Sequence, residues 1–335
     1  MKKLGLFLLF LGLTQTAIEA KVRVRMGTVA PKSSTWNRIL KEMGSEWKTA
    51  TDGEVTLSIY AGGVLGDENA MIRKMRIGQI QAAAISDAGV AQIDRGAYAL
   101  MVPGAFDNYA EWDYVRSKAN PAMEERLQDK GFVVLAWSSL GWVHFFSKDP
   151  LLKPEQLRKV KLAASASDPT AVEIMKWAKL SPVPITLADM VTGLQTGLID
   201  AFYFPIILAE SSNLYRYAKN MNGLRWAPLQ GALVITRKSW DQISQPHQKA
   251  LLGLARETGE RLQVETRQRE KDSLEAMKAR GLKVWEIDET LRRSWEETAG
   301  TAYPRIRMDL VTPEVFDRVM KWRDEYRNLQ KGKSQ

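Results

Sequence analysis

Two segments of this chain reach a strand by the same route. "GQIQAAAIS" (78–86) and "GLIDAFYFP" (197–205) each follow a helical stretch, break at glycine, and continue as Gly-x-Ile-x-Ala. A helix closed by glycine and followed at once by a strand is half of a β/α unit. The unit occurs twice, in two blocks of alternating strand and helix. This points to an α/β protein with a largely parallel sheet, built as two similar lobes. Each lobe then offers the carboxyl end of a strand to the space between them, where open α/β sheets bind ligands. The second copy is odd there, since Phe202, Tyr203 and Phe204 stand where a cleft would be expected to carry polar groups.

The rest of the pattern agrees. "VRVRMGT" (22–28) alternates like a half-buried strand, and Ser33 or Ser34 caps a helix bearing Trp36, Ile39, Leu40, Met43 and Trp47. Strands follow in "EVTLSIYAGG", at 132–138, at 142–147 and in "KVKLAA", with helices at 109–129, 169–178 and 187–196. From 246 to 280 the helical pattern is unbroken. At about 1.5 Å per residue it is roughly 50 Å long, enough to underlie both lobes as a spine.

Residues 1–20 stand apart. Lys2 and Lys3 precede an apolar run, Leu4 to Leu13, and a small residue at Ala20 completes the pattern of a secretory signal cleaved near that position. The run is too short to span a bilayer, and no later stretch reaches the roughly 20 residues needed. The expectation is an exported, periplasmic protein. With 0 Cys in the chain it carries no disulfide, thiolate metal site or lipid-bearing cysteine. Its 2 histidines, His144 and His247, leave little for a metal cluster or a Ser-His-Asp triad, and no metal or cofactor is expected. The formal charge of +9 is spread among acids, as in "RETGERLQVETRQREKDSLEAMKAR" (256–280), the pattern of a solvated helix. No nucleic-acid partner is expected.

Six stretches together resemble the DctP-like periplasmic solute receptors of tripartite ATP-independent periplasmic (TRAP) transporters. They are "VRMGTVAPKSSTW" (24–36), "GGVLGDENAMIRKMRIGQI" (62–80), "GFVVLAW" (131–137), "LKPEQLRKVKL" (152–162), "PVPITLADMVTGLQTGLIDA" (182–201) and "ALVITRKSWDQI" (232–243). The resemblance spans essentially the whole chain after residue 20. It implies a two-lobed α/β periplasmic binding protein fold, bridged by strands and a long helix, that closes on a small organic acid. It also implies delivery to membrane permease subunits, and no chemistry. Some relatives pair with a further periplasmic helical-repeat protein, so that partner is an expectation too.

The family's ligand chemistry rests on positions where this chain departs. In the motif Leu-Lys-Gly-Leu-Lys-Ile-Arg-Val-Pro the family places an arginine whose planar fork takes a carboxylate. Here the stretch from Leu157 to Leu162 puts Lys161 in that place. Val143 stands where many relatives carry a second arginine, and Phe204 where they share an asparagine. Three positions moving toward apolar favour an apolar or amphipathic ligand, with or without a carboxylate. The alternative is an ordinary dicarboxylate or sugar-acid receptor using Lys161. Phe204 and Tyr203 are expected to wall the cleft, and Phe202 to be core. Glu68 is either a ligand-contacting acid or a helix cap, and Ser86 ends the first lobe's strand at the cleft. Trp36 is expected as an aromatic lid and His144 as a structural histidine.

The lobes are expected at 21–143 plus about 232–265, and at 144–231 plus about 266–335. Two rival classes remain. Asp87, Asp94, Asp107 and Glu68 could supply a carboxylate pair to an enzyme, but no spacing singles one out and no catalytic fingerprint is present. A ligand-independent periplasmic interaction protein is the other.

Overall fold

The computed structural model describes residues 21–166 and 168–333, so the expected signal sequence at 1–20 lies outside the described residues. In chain order the strands are β1 (Val22–Thr28), β2 (Val55–Tyr60), β3 (Ala82–Ser86), β4 (Phe132–Ser147), β5 (Lys161–Ser165), β6 (Ser181–Ile185), β7 (Ala201–Pro205), β8 (Asn220–Asn222), β9 (Ala227–Thr236) and β10 (Lys283–Trp285). The helices are α1 (Thr35–Ala50), α2 (Glu68–Arg76), α3 (Asp87–Ala91), α4 (Tyr109–Asp129), α5 (Pro169–Trp177), α6 (Met190–Thr196), α7 (Ile206–Ser211), α8 (Arg237–Trp240), α9 (Gln245–Ala279), α10 (Glu289–Gly300), α11 (Tyr303–Arg305) and α12 (Pro313–Lys333).

The strands run in the order β2-β1-β3-β9-β4-β7-β5-β6, with β8 and β10 attached beside β4. The outer groups are parallel: β1 with β2 and β3, and β5 with β6 and β7. The antiparallel pairs β3/β9, β9/β4 and β4/β7 join the two halves. The sheet is therefore continuous, and β4 and β9 cross from one lobe into the other. Two strands were expected between 132 and 147, but there is one of 16 residues. Its pairing with β9 slips twice, the second time between Ser139 and Gly141, where Gly141 takes φ +100°. The slip bends the ladder without ending it.

The spine is α9, 35 residues long. It lies directly on the crossing strand: a Cβ built on Gly259 would come within 2.5 Å of the Trp137 carbonyl oxygen. Farther along, Glu270 accepts from the Trp142 amide at 3.2 Å and from the Tyr109 hydroxyl at 2.9 Å. The helix thus grips β4 on both sides of its bend.

Each lobe has its own core on both sheet faces. Fully buried Trp47 and Trp112 anchor the two faces of the first lobe; Phe146 with Phe202, and Phe145 with Trp295, anchor those of the second. The C-terminal assignment needs correction. α10 stays with the second lobe, where Trp295 packs on Phe145 and donates to the Leu152 carbonyl at 2.8 Å. The chain then returns to the first lobe, because Ile306, Leu310, Phe316 and Val319 bury themselves in the Trp112 core. Arg327 of α12 pairs with buried Glu111 of α4 at 2.5 Å.

Candidate functional site

A cavity of about 470 Å³ opens between the lobes. The first lobe contributes Glu68, the carboxyl end of β3 from Ala84 to Ser86, Tyr98 and Met101; the second contributes Phe145, Leu162 to Ser165, Asp168 and the β7 aromatics. Both parallel groups therefore deliver strand ends to one space, as expected for ligand sites of open α/β sheets. Trp36, Val143, Tyr203, Phe204, Glu68 and Ser86 all line it.

Their roles differ. Val143 is buried at the point where β4 enters the second lobe, paired opposite Pro205. Phe202 lies stacked on Phe146, with centroids 4.9 Å apart and planes 7° from parallel, so it is core with an edge on the cavity. Phe204 tilts against Phe202 at 5.5 Å and is half-buried, leaving a face for a ligand. Tyr203 projects to the other side of the strand, near Phe145 at 6.2 Å; burial and the nearby Asp168 push its hydroxyl pKa upward. Trp36 donates from its indole nitrogen to the Thr266 hydroxyl at 3.2 Å and lies against Gly231. It is pinned between α1 and the spine rather than free to swing as a lid.

Glu68 does not cap α2, a task done by the Asp67 side chain on the Ala70 amide. Its carboxylate accepts from the Ser86 amide and hydroxyl, both at 2.7 Å, tying α2 to the end of β3. Burial nevertheless raises its pKa, against those hydrogen bonds and with the help of Asp168 and Asp67. Buried His144 faces the Asn222 carbonyl through Nδ1 at 3.3 Å; burial drives its pKa down to about 4, so it is a neutral structural residue.

Lys161 is not at the site. It begins β5, so it sits at the amino end of a strand whose carboxyl end meets the cavity. Its side chain is 54% exposed, with Nζ donating to the Gly197 carbonyl at 2.5 Å and 3.9 Å from Asp200. Setting Leu157 on the first leucine of the nine-residue motif carries the arginine position to Ala163, which lines the cavity. Both arginine positions of the resemblance, Val143 and Ala163, are thus apolar here, and the lysine credited with the task is turned away.

Tyr98 and Asp168 are among the polar residues at the cavity that go unmarked by the sequence reading. Tyr98 donates to Asp168 at 2.5 Å, a hydrogen bond from the first lobe to the second. Asp168 also caps α5 through the Ala171 amide at 2.9 Å, and burial raises its pKa against these donors. The Asp-Pro start of α5 was a legible capping signal, whereas nothing local marked Tyr98. With Arg305 over the Trp177 ring at 4.9 Å, this bond holds α5 against the first lobe. Tyr98→Phe should loosen that closure by about 1.5–3 kcal/mol, the worth of a hydrogen bond to a charged group. Solution X-ray scattering checks it: a larger radius of gyration than the wild type is expected, and an unchanged one would contradict the role.

Comparison with known proteins agrees with this architecture. The profile of the bacterial extracellular solute-binding proteins, family 7, matches residues 26–308. The 2,3-diketo-L-gulonate-binding periplasmic protein YiaO of Escherichia coli is 25% identical over 298 residues, covering 88% of this chain and 90% of that protein. The sialic acid-binding periplasmic protein SiaP of Vibrio cholerae is 20% identical over 276 residues, 80% of this chain and 84% of its own. Among solved structures, the sugar acid binding protein DctPAm from Advenella mimigardefordensis, in complex with galactonate, superimposes with a TM-score of 0.85 at 18% identity, covering 91% of this chain and 99% of that one. A TRAP periplasmic solute binding protein from Xanthobacter autotrophicus with bound β-D-galacturonate gives 0.83 at 20% identity, over 90% and 99%. Among the described residues no helix is long and apolar enough to cross a membrane. The chain belongs to family 7 of the bacterial extracellular solute-binding proteins, a family of binding proteins.

Proposed function

We propose that this receptor captures a small organic acid in the cleft between its lobes and presents it, closed, to TRAP permease subunits. The observation that carries the capture mechanism is the cavity whose wall comes from both lobes, since contacts of that kind exist together only in the closed form. The ligand class draws its support from the relatives: the neighbours hold galactonate and β-D-galacturonate, and another from Ralstonia eutropha holds (S)-2-acetolactate. They favour an organic acid over a purely apolar solute. The acid reading has to do without Lys161, for the reasons of geometry given above.

A second reading, a neutral apolar solute, is favoured by the lining itself, where the side chains of Val143, Ala163, Ala164, Phe204, Met101 and Leu229 offer a sugar no hydrogen-bonding group. Native mass spectrometry of receptor purified from its own periplasm, followed by denaturing extraction, separates the two. Recovery of an organic acid is expected; recovery of a neutral hydrophobic compound would overturn the acid reading. Partnership with a helical-repeat protein is a weaker extension of the family likeness, and a pull-down from an envelope extract that retrieves the permease alone would remove it.

A further inference from the structure

We propose that Arg158 receives the carboxylate of the ligand, and that the ligand is an amphipathic monocarboxylate whose apolar body fills the rest of the cavity. The inference rests on the organic-acid reading and specifies it. Arg158 is the one basic residue among the described residues lining the cavity. It stands on the helical turn Pro154–Lys159, whose Pro154 and Leu157 line the same wall. Among the described residues it makes no ion pair or hydrogen bond, so its guanidinium is uncommitted.

The other charges around the cavity decide where a carboxylate can go. Glu68 and Asp168 are buried, and each already resists ionisation because of that burial. A second anion beside them would meet repulsion in a poorly solvated space. Arg158 stands on the turn before β5, whereas Glu68 begins α2 and Asp168 caps α5, so the cation and the acids come from different elements of the wall. Glu155, one turn earlier, also lines the cavity and discourages a second carboxylate at this end. One free cation fits one carboxylate. Alanine, valine and phenylalanine surfaces fit a body without hydroxyls, because a buried hydroxyl lacking a partner is unfavourable.

The test is calorimetric titration of the whole receptor with phenylacetate and hexanoate, with their uncharged amides phenylacetamide and hexanamide, and with D-galacturonate. The wild type should bind the acids more tightly than the amides, and that preference should shrink with added salt. Arg158→Ala should weaken the acids about tenfold and leave the amides unchanged, a modest factor because the guanidinium is exposed. Arg158→Lys should recover part of the loss, since lysine keeps the charge without the fork. Arg158 has no bonds to lose, so an unchanged melting temperature of the alanine variant excludes misfolding as the cause. Equal loss for acids and amides, or no loss for either, would overturn the assignment. Tight D-galacturonate binding that ignores Arg158→Ala would overturn it while leaving the organic-acid reading intact. Failure of the wild type to bind any of the acids would overturn that reading, and this inference with it.

Discussion

Asp87→Asn is expected to reverse its effect on stability between acidic and alkaline solution. Asp87 opens α3 with no exposed surface, and burial is the largest influence on its carboxyl, outweighing the Gln230 amide, which donates to one oxygen at 2.7 Å, and the more distant Arg116. The other oxygen has no hydrogen-bond partner. The result is a pKa raised from 3.8 to about 8. The sign follows from proton counting. Between those values the folded chain holds a proton that the unfolded chain has released, so stability is full below pH 4 and declines as pH rises toward 8. The shift of about four units at ~1.4 kcal/mol each sets a ceiling of about 6 kcal/mol. Asparagine never ionises and keeps the acceptor for Gln230, but its amide protons replace an unpartnered oxygen, at roughly 1–3 kcal/mol. The variant should therefore be slightly less stable than the wild type at pH 5 and about 2–4 kcal/mol more stable at pH 9. Urea denaturation at the two pH values measures both. Glu68, Asp168 and Glu270 are raised in the same direction, so a shallower slope should survive in the variant. Parallel curves for the two proteins would show that Asp87 does not bear this proton.

The strand ends that build the cleft were legible because their signals are local. A helix, a glycine and an Ile-x-Ala strand can be recognised within ten residues, and α9 announced itself by an uninterrupted pattern of the length later observed. β6 was not legible. Its sequence, SPVPI, carries two prolines, which a strand tolerates only at a sheet edge, and an edge position is a property of the whole sheet. The return of α12 to the first lobe is likewise a matter of tertiary packing, settled by Phe316 and Val319 finding the Trp112 core.

At the site the same division holds. Side-chain type suggested which positions had turned apolar, and Val143 and Phe204 do line the cavity. Lys161 went astray by two residues in a strand, which moved it from the cavity end to the exposed end. A contact such as Tyr98 to Asp168 spans 70 residues and two lobes, and no local pattern encodes it. Nothing local in the sequence distinguishes Arg158 from Lys159 and Lys161, its neighbours in a basic run; only the wall around it does.

The aromatic run at 202–204 yields the sharpest division between core and wall. Phe202→Ala should destabilise the receptor by about 3–5 kcal/mol, because it removes a fully buried ring that stacks on Phe146 and meets the tilted ring of Phe204, and leaves a void in the second lobe's core. Phe204→Ala should cost only about 1–2 kcal/mol in stability, since part of that ring already faces the cavity. It should instead weaken the bound organic ligand about five- to tenfold, the loss expected when some tens of Å² of apolar contact disappear. Thermal unfolding of both variants, paired with titration of whichever compound is extracted from the wild type, measures the two effects together. A Phe204 variant as unstable as the Phe202 variant, with its affinity intact, would make both rings core and narrow the cleft to the residues contributed by β3 and β5. The expected split, stability at 202 and affinity at 204, would mean that one strand holds the lobe together with one ring and the ligand with the next on the same face.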